Sequence, residues 1–119
     1  MALIAGILVA FVALLHTLFL ILEMFMWNTP TANKAFGMTP ELSKQTIAMG
    51  ANQGLYNGFL VAGLIWGLIL GDAGFGVKVF FLGCVIVAGI FGAITVMPRI
   101  LFIQALPAAL ALLFVVLSR

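Results

Sequence analysis

From Ala2 to Leu22 the chain is unbroken in apolar character, and its first charged side chain is Glu23. A helix needs about 20 mostly apolar residues to cross the hydrocarbon of a bilayer, and this stretch has that length. A secretory signal has a shorter apolar core, a basic residue before it and a small-residue cleavage site after it. Here no Lys or Arg precedes the run, and it ends in Glu23-Met24-Phe25-Met26-Trp27. We therefore read it as a retained transmembrane helix.

The remaining residues repeat the pattern. Hydrophobic residues make up 66% of the 119 positions and charged ones 7%, far below the roughly one quarter that keeps a soluble domain's surface in water. The mean hydropathy of +1.36 agrees. The expectation is an all-α integral membrane protein, a single transmembrane domain of antiparallel up-down helices joined by short loops. The helices fall at about 2–27, 40–70, 77–97 and 100–117. Thr39-Pro40-Glu41 supplies a cap, a first-position proline and an acid opposing the helix dipole. Residues 28–39 are expected as a loop and Gly71–Gly76 as a tight turn. Pro107 is expected to kink the last helix by removing a backbone hydrogen bond.

Charge and cysteine usage exclude several functions. The net charge of +2 comes without any basic run, so no nucleic-acid footprint exists. Cys84 is the sole cysteine and can form no internal disulfide; its apolar surroundings make it a packing residue. One histidine cannot supply two-histidine haem ligation, and His16 with Glu23 falls short of a metal site, so neither metal nor cofactor is expected. No Ser-His-Asp set is apparent, and no catalytic residue is assigned.

Small residues recur every four positions: Gly50, Gly54, Gly58, then Gly63, Gly67, Gly71, and on the next helix Cys84, Ala88, Gly92. In lipid such ridges let backbones approach closely. They predict packing inside the bundle, or a homodimer face as the alternative.

Depth sorts the polar residues. With the N-terminal side of the membrane labelled A, the 28–39 connection lies on side B. His16 falls just past the middle of the first helix and Glu23 near its B end, two helical turns apart on one face. The second helix rises from B, its first two turns outside the hydrocarbon, and carries Asn52, Gln53, Tyr56 and Asn57 in the B half. Gln53 and Asn57 are spaced to project side by side. Thr95, Pro98 and Arg99 return to B, and Gln104 lies about one turn into the fourth helix. Polar residues in membrane spans are costly and tend to be functional. These eight predicted site residues (His16, Glu23, Asn52, Gln53, Tyr56, Asn57, Arg99, Gln104) point to a pocket closed toward A and open toward B, not to a through-pore. Arg99 paired with Glu23 would lower the cost of both. His16 has Asn57 or a backbone carbonyl as structural partners.

The run Asn52-Gln53-Gly54-Leu55-Tyr56-Asn57-Gly58-Phe59, preceded by His16 and by Glu23 to Trp27, resembles a family of small bacterial four-helix membrane proteins, domain of unknown function 1304. The likeness spans essentially the whole chain. It implies a bacterial cytoplasmic membrane and four helices, and it supplies no reaction.

Three functions compete. The first is binding of a small molecule or cation in the polar pocket, with proton-coupled transport through His16 and Glu23. The second is a structural or accessory subunit whose polar residues fix helix register. The third is an enzyme acting on a lipid or quinone-like substrate, with Glu23 or His16 as base. Membrane lipids are the expected surroundings in all three. Side B holds Lys34, Lys44 and Arg99 and side A holds Lys78 and Arg119, which places B in the cytoplasm by one charge.

Overall fold

Helix α1 (Ala2–Phe25) is apolar on both sides, and its polarity is arranged inside out. Its exposed stripe is Leu3, Ile7, Phe11, Leu14, Leu18, Ile21 and Phe25, at the spacing of one helix face. Its buried side holds Ala5, Val9, Val12 and Ala13 together with His16 and Glu23. A helix in water turns its polar residues outward; α1 turns them inward.

The computed structural model describes residues 1–119, which form helices and no strand. After α1 come α2 (Pro30–Phe36), α3 (Pro40–Gln45), α4 (Ile47–Leu70), a 3₁₀ turn (Gly71–Gly74), α5 (Phe75–Thr95), a π turn (Leu101–Ala105) and α6 (Leu106–Leu117). Two helical runs are long and apolar enough to cross a membrane, Ala2–Phe25 and Ile47–Thr95, and a shorter apolar helix covers Leu101–Leu117. The chain divides into two compact units, Met1–Leu14 with Leu60–Arg119, and Leu15–Phe59.

Within Leu15–Phe59 the sequence reading needs two corrections. Residues 28–39 are not a plain loop, because Thr29-Pro30 repeats the Thr39-Pro40 signal. In each case the threonine hydroxyl accepts a backbone N–H, from Ala32 at 3.3 Å and from Leu42 at 3.2 Å, with proline at the first helical position. Gly37, left-handed at φ 66°, then ends α2. Nor is the helix beginning at Pro40 continuous to Leu70. It breaks at Thr46, whose hydroxyl donates back to the Leu42 carbonyl at 2.8 Å and accepts the Trp27 indole N–H at 3.0 Å. Such side-chain bonds compete with the helix ladder and bend it. Trp27 is buried against Gly50, with the Phe36 ring 5.3 Å away. Ser43 is fully buried and donates to Asn28 Oδ1 at 2.8 Å.

In the larger unit, Leu64, Leu82, Val85, Ala108, Ala111 and Val115 pack with the buried residues of the first turns of α1. Gly71, at φ 60°, ends α4, and the 3₁₀ turn leads straight into α5. The α5 backbone comes close to the π turn at Gly89, where a methyl group would lie 2.7 Å from the Ala105 nitrogen. Pro107 follows the π turn. It cannot donate to a carbonyl four residues back, and the chain widens instead, with the Leu106 N–H bonding the Leu101 carbonyl. Pro107 then occupies the first turn of α6, where no donor is required.

The glycine ridges on α4 are used within each unit. Gly50, Gly54 and Gly58 lie against Trp27, Met24 and Leu20, and Gly63 and Gly67 against Phe81 and Lys78. Cys84 is half-buried and lines an open apolar groove with Phe80, Val87 and Phe91.

Candidate functional site

The first glycine ridge positions the site. Trp27 meets Gly50, Glu23 and Met24 meet Gly54, and Leu20 meets Gly58. As α1 is followed backward α4 is followed forward, so these two segments run antiparallel at backbone distance. A methyl group on Gly54 would lie 3.2 Å from both Glu23 Cβ and the Leu20 carbonyl oxygen. That closeness lets the short Asn57 side chain reach the carboxyl group of Glu23, and Asn57 Nδ2 donates to Glu23 Oε1 at 2.5 Å.

Glu23 is only 6% exposed. Asn57 is its hydrogen-bond partner, and no lysine, arginine or histidine forms a salt bridge with it. It also stands in the last turn of α1, whose unpaired carbonyls point along the helix and disfavour negative charge. A carboxylate so placed is incompletely compensated: one neutral amide donor offsets part of the desolvation of a full charge. A cation or a proton completes it.

The other sequence-derived residues are distributed around this pair. His16 is fully buried two turns before Glu23, with the Phe19 ring edge-on at 5.2 Å. Asn52, Gln53 and Tyr56 lie on the exposed side of α4, Tyr56 edge-on to Phe59 at 5.9 Å. Of the four polar residues chosen on this helix, Asn57 is the one hydrogen-bonded to Glu23. Arg99 and Gln104 belong to the larger unit. Arg99 is exposed, and its Nε–H points to Met97 Sδ at 3.0 Å. Gln104 is half-buried on the π turn.

The sequence reading missed the polar cap beyond this pair, formed by Trp27 with Thr46 and by Asn28 with Ser43. Its available signal was the repeated Thr-Pro, which places short helices over the end of α1.

An α-helical chain with a buried acid–amide pair between two close helices is the class these observations define. Residues 10–116 match a family model described as "Protein of unknown function (DUF1304)", and the chain belongs to this family. All eight predicted site residues fall inside the match. The chain is also similar to a Lactococcus lactis subsp. lactis (strain IL1403) protein described as "Uncharacterized protein YpaA". The two are 30% identical over 94 residues, covering 77% of this chain and 79% of that one. No solved structure matches the chain.

Proposed function

We propose that this protein is a multi-pass protein of the bacterial cytoplasmic membrane that binds a cation or a cationic small molecule at Glu23. Its long helices cross as an antiparallel four-helix bundle, α6 with the preceding π turn forming the last span. Glu23 supplies the charge and Asn57 fixes the carboxyl group. The site lies toward the side that bears the α2–α3 connection, beneath the cap that Trp27 makes with Thr46 and Asn28 with Ser43, so that this cap must part for a ligand to enter, and exchange of the bound cation for a proton at Glu23 is the coupling step of a transport cycle.

The observation that carries this reading is the near-complete burial of Glu23 with one amide partner and no countercharge. The apolar exposed stripe of α1 supports the membrane setting, since Leu3, Ile7, Phe11 and Leu14 would leave a continuous apolar patch in water. The direct Asn57 bond also suits a second reading, an accessory subunit in which the pair fixes helix register.

A thermal-stability screen of detergent-purified protein separates the two. Inorganic and organic cations, quinones and amphipathic cationic drugs are added to wild type, Glu23→Gln and Asn57→Ala. A ligand present at about 100 times its Kd stabilises by about 2.7 kcal/mol. We expect a cation to raise the wild-type midpoint and to leave Glu23→Gln unmoved while that variant remains folded. No response from any cation, with both variants merely melting earlier, would favour the accessory subunit.

Orientation has its own outcome. Lys34, Lys44 and Arg99 outnumber Lys78 and Arg119, so a reporter fused after Arg119 is expected to report the outer side. A cytoplasmic signal from it would reverse the assignment.

A further inference from the structure

The larger unit holds a second polar feature that the Glu23 site does not use. A cleft of about 320 Å³ opens where the 3₁₀ turn, the first turns of α5 and the end of α6 meet. Its floor includes the buried Val115, and its polar lining is Asp72, Lys78, Ser118 and Arg119. The Arg119 guanidinium lies over the Phe75 ring, 4.1 Å from its centroid. This stacking holds the planar fork in one orientation and leaves its edge N–H groups for an acceptor. The Lys78 stem runs across Gly67, which a methyl group would bring to 2.7 Å from Lys78 Cγ.

Two cations suit a phosphate, yet a simple anion would also meet the Asp72 carboxylate. A group carrying both a phosphate and an ammonium matches the three side-chain charges of the cleft, Lys78, Arg119 and Asp72. We propose that this cleft binds the phosphoethanolamine headgroup of a membrane phospholipid. Lys78 and Arg119 take the phosphate, and Asp72 accepts N–H bonds from the ammonium. The apolar faces beside the cleft, including the exposed Ile69, receive the acyl chains. This rests on the membrane reading above but not on any ligand at Glu23.

The test uses the full-length protein in detergent, titrated with short-chain lipids while thermal stability is followed. The lipids carry ethanolamine, choline or glycerol headgroups, and free phosphoethanolamine is a separate arm. A choline ammonium has no N–H to donate, so we expect the ethanolamine lipid to bind at least about threefold more tightly than the choline lipid. Asp72→Asn should erase that preference. Lys78→Gln with Arg119→Gln should weaken all three lipids by about tenfold. These side chains line an open cleft, and the lipid-free midpoints of the variants report whether the fold is kept. Equal binding of the three lipids by wild type, unchanged binding by the Lys78 and Arg119 variants, or free phosphoethanolamine binding as tightly as the lipid would each overturn the proposal. Carbonate extraction distinguishes the two failures. A protein released from membranes refutes the membrane reading, whereas a retained one without headgroup preference refutes this site alone.

Discussion

Gly89→Ala is expected to destabilise the protein by about 1–3 kcal/mol, the usual cost of forcing a methylene into a packed interior. The added methyl group would lie 2.7 Å from the Ala105 nitrogen, 2.8 Å from its Cβ and 3.0 Å from its Cα. Backbone atoms cannot rotate away as the end of a side chain can, so α5 and the π turn must separate along their contact. Two glycines on the same helix serve as internal comparisons. At Gly92 the new methyl meets Ile100 side-chain atoms at 3.2 and 3.4 Å, which yield by a small rotation. At Gly83 it meets nothing within 4 Å, and replacing a mid-helix glycine stabilises by roughly 0.5–1 kcal/mol. The expected order of thermal midpoints in detergent is Gly83→Ala, wild type, Gly92→Ala, Gly89→Ala. If Gly89→Ala melts with Gly83→Ala, the close approach of α5 to the π turn is wrong. The methyl group is the same in all three variants, so helix propensity alone predicts no such spread.

This contrast also marks what a sequence can disclose. Gly83, Gly89 and Gly92 are identical as letters, and only their distance from another backbone separates them. The long helices were legible because their apolar runs are far longer than any alternative needs: 2–27 was expected and Ala2–Phe25 found, 77–97 expected and Phe75–Thr95 found. What escaped was local chemistry that overrides periodicity. Thr46 breaks a run that reads as one helix because its hydroxyl serves both Leu42 and Trp27. Trp27 is 19 residues away, and nothing in the local pattern announces it. Pro107 marks a disturbed helix in the sequence but not the form of the disturbance, since the capacity of a helix to widen upstream depends on the room around it.

Of the eight candidate residues, Glu23 and Asn57 are the two that a direct hydrogen bond joins, and the sequence does not disclose that pairing. Counting depth along each helix selected Glu23 and Asn57, because it requires only rise per residue and direction. Pairing requires the axial offset between two helices. That offset is set by which glycine receives which large side chain, here Trp27 on Gly50 and Met24 on Gly54. From the sequence Asn57 is equally a candidate partner for His16. The packing of the glycine ridge instead brings the amide to the acid.

That acid–amide pair sets the second large effect, in which two single changes are worse than both together. In Asn57→Leu the carboxyl group of Glu23 stays buried and loses its donor, which costs about 1–3 kcal/mol and more if it is charged. In Glu23→Leu the Asn57 amide loses its acceptor, a smaller penalty because it is neutral and half-buried, with a route to other partners. The double variant Glu23→Leu with Asn57→Leu removes both polar groups and fills the space with apolar volume. It is expected to recover to near the wild-type midpoint, so the cycle gives a coupling of 0.5–3 kcal/mol, the range typical of residues in direct contact. Additive losses would mean that the two side chains do not interact in the folded protein. The same double variant separates stability from function. As a fully folded protein it should respond to no cation, because the carboxylate that receives the ligand is gone. A double variant that is stable and still binds would move the site away from Glu23; one that is stable and silent would leave the buried carboxylate as the reason this polar pair exists, since the fold does not need it.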